Sequence, residues 1–312
     1  MSASSPQVWL PAHFASPADL PPGLDYARWN GRSAFPSDPA EVVFYAPPLT
    51  QDIDVISKPL HRMTRLRAVQ ALSAGTDELR AELDRLPRPV TLCNARGVPA
   101  PSTAELALTL TLASLRGIPE SLRAQDRGAW SPRFFPSLYE RSVLIVGYGA
   151  VGSALEDLLA PFGCAVTRVA SEERDSRRGP VHSVTHLPRL VADADVVVLS
   201  LPLTPRTRRL FDAGLLARMK DGALLVNVSR GAVVDTDALL KEAHDGRLRA
   251  ALDVTDPEPL PPAHPLWAAP GVLITPHVGA FTPSLWPRLE ALVRRQLARF
   301  AAGEELENVV SR

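Results

Sequence analysis

The run Gly147-Tyr148-Gly149-Ala150-Val151-Gly152 constrains this chain more than any other feature. It comes after an apolar run at 143–146 and opens a helical stretch that reaches Pro161. In a strand–turn–helix setting, G-x-G-x-x-G is the spacing of a dinucleotide-binding turn. The first glycine permits the tight turn, the second lets a diphosphate approach the backbone, and the third lets the helix pack on the sheet. Free N–H groups at the helix start then face the anion. An ordinary glycine-rich βα turn uses the same letters, so the motif gains its meaning from the segments downstream of it.

Downstream of the turn the chain alternates regularly. Residues 165–169, 196–201, 223–228, 250–254 and 272–274 read as further apolar strands, with helices over 212–219 and 236–245. Continuous apolar strands alternating with helices predict a parallel sheet covered on both faces. The first hundred residues have a weaker βα pattern. Strands are predicted at 8–10, 42–46, 68–72 and 90–92, and helices at 53–57 and 76–83. Ser102 or Thr103 is predicted to cap a helix over 104–115, with Glu105 in its first turn. Residues 116–138 read as a looser segment containing Trp130, Phe134 and Phe135, and a last helix is predicted over 284–300.

Composition excludes several functions. The 312 residues hold 34 Lys+Arg and 34 Asp+Glu, so a dedicated nucleic-acid binder, with its basic excess, is not indicated. Only Cys93 and Cys164 are present, without a CxxC or Cys/His cluster, which predicts neither a disulfide framework nor a metal site. The start, MSASSPQVWL, has no basic and apolar leader pattern. Residues 105–115 are too short and too interrupted by threonine for a membrane span. The expectation is a cytoplasmic protein with no nucleic-acid or membrane partner.

Three later segments carry chemistry. Asn227-Val228-Ser229-Arg230-Gly231 ends the fourth strand of the regular alternation, Asp253-Val254-Thr255-Asp256-Pro257-Glu258-Pro259 ends the fifth, and Thr275-Pro276-His277-Val278-Gly279 comes just after the sixth. In an open α/β sheet the carboxyl ends of the strands form the ligand crevice. Arg230, Glu258 and His277 therefore fall on one edge, the edge of the glycine turn. A guanidinium holds a carboxylate and polarises a neighbouring carbonyl. An imidazole delivers a proton to a developing alkoxide, or removes one in reverse. A carboxylate beside it offers a negative charge to the imidazolium and fixes its orientation. Singly, each residue is as well explained as a surface arginine, a turn acid or a loop histidine; together they describe a hydride-transfer site. The position that reads the ribose is Ala170. Glu172 stands close enough to serve an NAD ribose, while Ser171, Arg174, Arg177 and Arg178 suit a 2′-phosphate, so NAD and NADP both stay open.

The pattern resembles the D-isomer-specific 2-hydroxyacid dehydrogenases. Ser73-Ala74-Gly75-Thr76-Asp77 is similar to the family's substrate loop, Thr103-Ala104-Glu105 to the start of its interdomain helix, and Leu201-Pro202-Leu203-Thr204-Pro205-Arg206-Thr207 to its loop beside the cofactor. The resemblance implies a doubly wound Rossmann-type cofactor domain at 102–283. It also implies a smaller flavodoxin-like α/β substrate domain, discontinuous at 1–101 and 284–312. It makes Arg230, Glu258 and His277 the catalytic residues and puts the substrate carboxylate on Arg230 and the Ala74 and Gly75 amides, with His277 also meeting the substrate, as the group that supplies or takes the proton. Cofactor contacts would come from Gly147, Tyr148, Gly149, Ala150, Val151, Gly152, Ser171, Leu201, Pro202, Thr207, Val228, Ser229, Arg230, Asp253, His277 and Gly279, with Asp253 on the nicotinamide carboxamide. The implied activity is hydride transfer between NAD(P)H and a small 2-keto acid of the glyoxylate or hydroxypyruvate kind, in a homodimer, without a metal. An NAD(H)-sensing, corepressor-like module is the alternative on the same fold. The chain departs from the family's pattern at Ala170, where NAD-dependent members carry Asp, and at Tyr139-Glu140-Arg141-Ser142. Glu258 separates it from the formate dehydrogenase branch, and no regulatory domain of the phosphoglycerate dehydrogenase kind is read up to Arg312.

Overall fold

The computed structural model describes residues 5–14, 20–50, 52–87 and 89–310. The four N-terminal residues read for a leader, and residues 15–19, 51, 88, 311 and 312 of the domain assignment, lie outside the described residues. The chain forms two compact units, Met1–Pro99 with Pro283–Arg312, and Ala100–Thr282.

The first unit carries β1 (Gln7–Pro11), β2 (Asp25–Trp29), β3 (Val42–Tyr45), β4 (Ala68–Gln70) and β5 (Thr91–Cys93). They pair in parallel in the order β2-β1-β3-β4-β5. That is the flavodoxin-like order. Helix α1 (Ile53–Ser57) starts at Asp52, whose carboxylate accepts from the Asp54 and Val55 N–H groups. Helix α2 is Asp77–Asp84, and the closing helix Leu285–Ala302 belongs to this unit. Trp9, Trp29 and Tyr45 centre the core, with Trp9 stacked obliquely 5.8 Å from Trp29. Sequence pattern missed β2. Its residues, Asp-Tyr-Ala-Arg-Trp, occupy a sheet edge where only Trp29 is fully buried, so no apolar run marks it.

The second unit begins with α3 (Ala100–Leu115) and α4 (Ile118–Gln125). It continues with β6 (Ser142–Val146), α5 (Ala150–Leu159), β7 (Ala165–Ala170), β8 (Arg174–Ser176), β9 (Gly179–Ser183) and α6 (Leu187–Leu190). Then come β10 (Val196–Leu199), α7 (Ala213–Leu216), β11 (Leu224–Asn227), α8 (Thr236–His244), β12 (Arg249–Leu252) and β13 (Val272–Ile274). The sheet order is β13-β12-β11-β10-β6-β7-β9-β8, parallel throughout except for the β8–β9 hairpin. Residues alternate between two cores. Leu144, Val146, Val197, Leu199 and Leu225 face one side; Val143, Ile145, Val196, Val198, Leu224 and Val226 face the other. Both faces are covered, as the continuous apolar runs require.

Several boundaries differ from the sequence reading. The α3 helix begins at Ala100, ahead of Ser102 and Thr103, because Pro101 sits in its first turn where no N–H is needed. Ser102 instead hydrogen-bonds Thr282 at 3.0 Å. Residues 118–125, read as loose, are helical, with Gly117 left-handed before the first turn and Pro119 inside it. The helix expected over 212–219 shrinks to one turn, held by the Asp212 carboxylate on the Leu215 N–H at 2.8 Å. Strands β10, β11 and β12 stop at Leu199, Asn227 and Leu252, two residues or one before the predicted ends. The freed residues are the ones that build the site.

A buried amide pair ties the closing helix to the first unit's sheet. Gln70 and Gln296 are both fully buried, and Gln296 Nε2 donates to Gln70 Oε1 at 2.6 Å and to the Glu307 carbonyl at 2.9 Å. The Glu307 N–H returns a bond to Gln296 Oε1 at 2.7 Å. Replacing Gln296 by Leu strands three polar groups away from water. Each buried unsatisfied group costs roughly 1–3 kcal/mol, so Q296L should lower unfolding free energy by about 3 kcal/mol or more in denaturant titration.

Candidate active site

The glycine turn joins β6 to α5. Gly147 has φ +101°, and a Cβ there would stand 2.6 Å from the Ser200 and Leu201 backbone. The turn is thus wedged against the end of β10, at the point where strand order reverses. Ser200 Oγ donates to the Gly147 carbonyl at 2.9 Å, a tether the sequence reading did not assign. A Cβ on Gly152 would meet Gly147 O at 2.7 Å, so the third glycine is there for close packing. A Cβ on Gly149 would meet nothing within 4 Å. That open space lies at the N-terminus of the ten-residue helix α5, beside the outward N–H groups of Ala150, Val151 and Gly152. These residues fit a dinucleotide diphosphate.

Tyr148 is largely buried, and its hydroxyl donates to Glu156 Oε2 at 2.5 Å. Glu156, on α5, also takes two bonds from the Arg168 guanidinium on β7, one of them 2.8 Å from Nε. Burial alone would push the Glu156 carboxyl up. The hydrogen bonds from Arg168 and Tyr148 and the charges of Arg168 and Arg178 outweigh it and hold it below the usual carboxylate range. The pair anchors the turn from underneath, because both partners stand on elements that flank it.

Leu201 and Pro202 come after β10, and Leu201 is nearly buried. Thr207 ties this loop, with Oγ1 donating to the Pro202 carbonyl at 2.7 Å and accepting from the Thr204 N–H at 2.7 Å. Beyond β11, Asn227 organises the next loop. Its Oδ1 accepts from the Ser229 N–H and hydroxyl at 3.0 and 2.7 Å, and its Nδ2 donates to the Arg230 carbonyl at 3.0 Å. Val228 and Ser229 are buried, and Arg230 Nη1 donates to the Ser229 carbonyl at 2.7 Å. Gly231 has no room for a side chain, since a Cβ would lie 1.9 Å from the Thr255 carbonyl oxygen. That contact fixes the Arg230 loop against the segment leading to Glu258.

Asp253 is 2 % exposed and its carboxylate is taken up by the third loop. Oδ1 accepts from Thr275 Oγ1 at 2.6 Å and from the Val278 N–H at 2.9 Å; Oδ2 accepts from the Gly279 N–H at 2.9 Å. The Asp253 carbonyl accepts from the His277 N–H at 2.8 Å. The sequence reading placed Asp253 on a ligand; these bonds make it the fixed point of the histidine loop. His277 itself has φ +53°, and its Nδ1 lies 2.5 Å from Glu258 Oε1. The imidazole and the carboxylate are each about a third exposed. Glu258 and His277 are therefore brought into contact from the ends of two strands, and Arg230 stands on the neighbouring third.

Ser171 comes directly after β7 and is exposed. Residues 174–183 form the β8–β9 hairpin, and Arg174 Nη2 donates to the Tyr148 carbonyl at 2.6 Å. Ala74 and Gly75 belong to the first unit. Their carbonyls accept from Asn94 Nδ2 at 2.9 Å and Ser73 Oγ at 2.6 Å. Trp286 lies in the same unit with its ring 5.5 Å from that of His13. Among the described residues no group of three or more His, Cys, Asp or Glu could hold a metal ion, and no helix is long and apolar enough to cross a membrane.

A doubly wound sheet with a glycine turn at its switch point, and a histidine–carboxylate pair on the same edge, defines a nicotinamide-dinucleotide oxidoreductase. Residues 108–279 match the NAD binding domain family of the D-isomer specific 2-hydroxyacid dehydrogenases. The chain is 34% identical over 250 residues to a glyoxylate reductase/hydroxypyruvate reductase of Mus musculus, covering 77% of this chain and 76% of that protein. It is 35% identical over 233 residues to glyoxylate/hydroxypyruvate reductase B of Escherichia fergusonii, covering 72% and 71%. A D-isomer specific 2-hydroxyacid dehydrogenase from Xanthobacter autotrophicus Py2, solved with NADPH and MES, superimposes with a TM-score of 0.82 at 31% identity, covering 99% of this chain and 98% of that one. This chain belongs to the D-isomer specific 2-hydroxyacid dehydrogenases, which are NAD(P)-dependent oxidoreductases acting on CH–OH groups.

Glu156 makes the anchor of the glycine turn sensitive to acid. Its carboxyl titrates lower in the folded chain than the usual 4.5, so the stabilisation is complete above that value and is lost as pH falls through the lowered one. Thermal unfolding of Glu156→Gln should show a melting deficit near neutrality that narrows as pH drops below about 4.5. A deficit constant across that range would mean the carboxyl does not titrate with folding.

Proposed function

We propose that this chain interconverts small 2-keto acids and the corresponding D-2-hydroxy acids, with glyoxylate and hydroxypyruvate as the substrate class. The observation that carries the mechanism is the 2.5 Å contact between His277 Nδ1 and Glu258 Oε1 on the carboxyl edge of the cofactor sheet. With Nδ1 committed to Glu258, Nε2 is the nitrogen left to meet a substrate oxygen. A reduced nicotinamide dinucleotide, held at the Gly147–Gly152 turn, would supply the hydride for the keto carbon. His277 Nε2 gives its proton to the oxygen that becomes the hydroxyl, and takes it back in the reverse direction. Glu258 balances the imidazolium charge and holds the ring plane. Arg230, aimed by its bond to the Ser229 carbonyl, takes the substrate carboxylate and draws electron density from the adjacent carbonyl. The Ala74 and Gly75 carbonyls are already occupied inside the first unit.

The same reading holds the protein to be a cytoplasmic homodimer built on the cofactor unit. Ile118, Leu122, Trp130 and Phe134 support it: all four are large, apolar and exposed, Trp130 and Phe134 almost completely so. Monomeric proteins rarely leave such a series open to water. Light scattering should give about twice the 33.7 kDa chain mass, and a Trp130→Glu/Phe134→Glu variant should run as a monomer. A wild-type monomer at micromolar concentration refutes the dimer.

The catalytic assignment is tested by absorbance of the reduced nicotinamide against a panel of 2-keto acids, run with NADH and with NADPH. His277→Ala should lower turnover about 10²–10⁴-fold while the nucleotide still binds, the usual worth of a general acid–base group. Arg230→Ala should chiefly raise KM for the keto acid. Undiminished turnover in the histidine variant, or nucleotide binding with no turnover of any acid by the wild type, would remove the assignment; the second result would favour the sensing module.

A further inference from the structure

The first unit holds a hollow that the proposed chemistry leaves unused. Its volume is about 330 Å³. Arg96 and Val98 line it from the loop after β5, Arg288, Leu292 and Arg295 from the closing helix, and Asn308 from the segment after that helix. Pockets for small ligands begin at about this size. Neither the Arg230, Glu258 and His277 set nor Ala74 and Gly75 contribute to its lining. Arg288, Leu292 and Arg295 are spaced by four and then three residues, so they share one face of the helix.

The walls are bonded to one another before any ligand arrives. Asn308 Nδ2 donates to the Arg96 carbonyl at 3.1 Å, and the Asn308 carbonyl accepts from the Asn94 N–H at 3.1 Å. Gln296, on the closing helix, holds Glu307, the residue before Asn308. Loop, helix and final segment therefore form one frame. The charges on that frame do not cancel. Arg295 is answered by Glu307, with Nε 3.2 Å from Oε1. Glu290, on the same helix, pairs with Arg294 at 3.9 Å. Among the described residues the side chains of Arg96 and Arg288 make no hydrogen bond or ion pair, and both are exposed. Three guanidinia thus line the hollow against one paired carboxylate. Like charges gathered round one space repel, and an anion that enters it relieves the repulsion.

We propose that this hollow is a second ligand site, and that it takes a compact organic anion with two or three carboxylates. A guanidinium fork accepts carboxylate oxygens in pairs. Arg288 and Arg295 are rooted seven residues apart, about 10 Å along the helix axis. A ligand that reaches both of them and Arg96 is best served by several charged ends on a short carbon skeleton. Val98 and Leu292 offer that skeleton apolar surface, which an inorganic ion would leave unused. The occupant is not a reactant, since no group of the hydride-transfer set lines the site.

Calorimetric titration of the full chain with citrate, without nucleotide or keto acid, tests the site. Citrate should bind saturably, and more tightly than inorganic phosphate. Arg96→Ala and Arg288→Ala should each weaken that binding about tenfold, the worth of one charge-assisted contact. Arg96→Glu/Arg288→Glu should abolish it. Added sodium chloride should weaken it in the wild type, because the guanidinia are exposed. Both side chains stand at the surface, so melting temperatures should match the wild type. Arg230→Ala, which removes the guanidinium assigned to the keto acid, should keep the binding that Arg96→Ala and Arg288→Ala weaken. Loss of all citrate binding in Arg230→Ala, with none in the other two, would put the anion in the active site and overturn the proposal. No saturable binding would reduce the hollow to solvated surface charge. Phosphate binding as tightly as citrate would refute the organic polycarboxylate.

Discussion

One buried carboxylate determines where the His277 imidazole stands. Asp253 follows β12 directly, and its two oxygens receive the Thr275 hydroxyl and the Val278 and Gly279 N–H groups, while its carbonyl receives the His277 N–H. Every donor comes from one short loop after β13, so the loop is wrapped around a single residue of the neighbouring strand. His277 is held in the left-handed region at φ +53°, which costs an L-residue on the order of 1–2 kcal/mol. Charge-assisted bonds from the surrounding backbone are of the size to offset that. The result is an imidazole delivered to Glu258 with little freedom of its own. Such pre-organisation is what the proposed general-acid role of His277 would need.

The glycine turn is built on the same plan, with the supports placed one layer below the open space at Gly149. Gly149 leaves space, while Ser200, Glu156 and Arg168 hold what surrounds that space. A buried ion pair is expensive to desolvate and is poor evidence for stability by itself. Its value here is geometric: the carboxylate collects Tyr148 from the turn and Arg168 from β7, so three elements share one fixed point. Arg174 then reaches the turn from a fourth, β8.

Much of this was legible in the sequence because it depends on periodicity and on backbone sterics. The apolar strands of the cofactor sheet are continuous, since both faces are buried, and the glycine spacing is dictated by contacts as short as the 2.6 Å at Gly147. Arg230, Glu258 and His277 could be placed on one edge because strand polarity puts every β-to-loop exit on the same side. Less regular parts were not legible. Strand β2 and the β8–β9 hairpin lie at sheet edges and show polar residues to solvent, so period-two alternation is blurred. The start of α3 was misjudged because Ser102 or Thr103 was read as the cap, whereas the helix opens at Ala100 with Pro101 in its first turn. The roles of Asn227, Ser200 and Glu156 depend on partners 3, 53 and 12 positions away, and pattern alone does not supply such pairings.

The supports also hold the polar loops to one another. Strand ends β10, β11 and β12 stop early and hand Ser200, Ser229 and Asp253 to the loops. Ser200 is bonded back into the glycine turn, Ser229 into the loop it begins, and Asp253 into the loop after β13. A side chain that only closed its own loop would fix local shape. Ser200 and Asp253 do more, because each bonds a segment at the end of a different strand. Gly231, pressed against Thr255, links the remaining pair. The loops on the carboxyl edge are thus cross-braced to one another as well as to their strands. A displacement of one is resisted by the next, which is how residues spread over more than a hundred positions can hold one constellation.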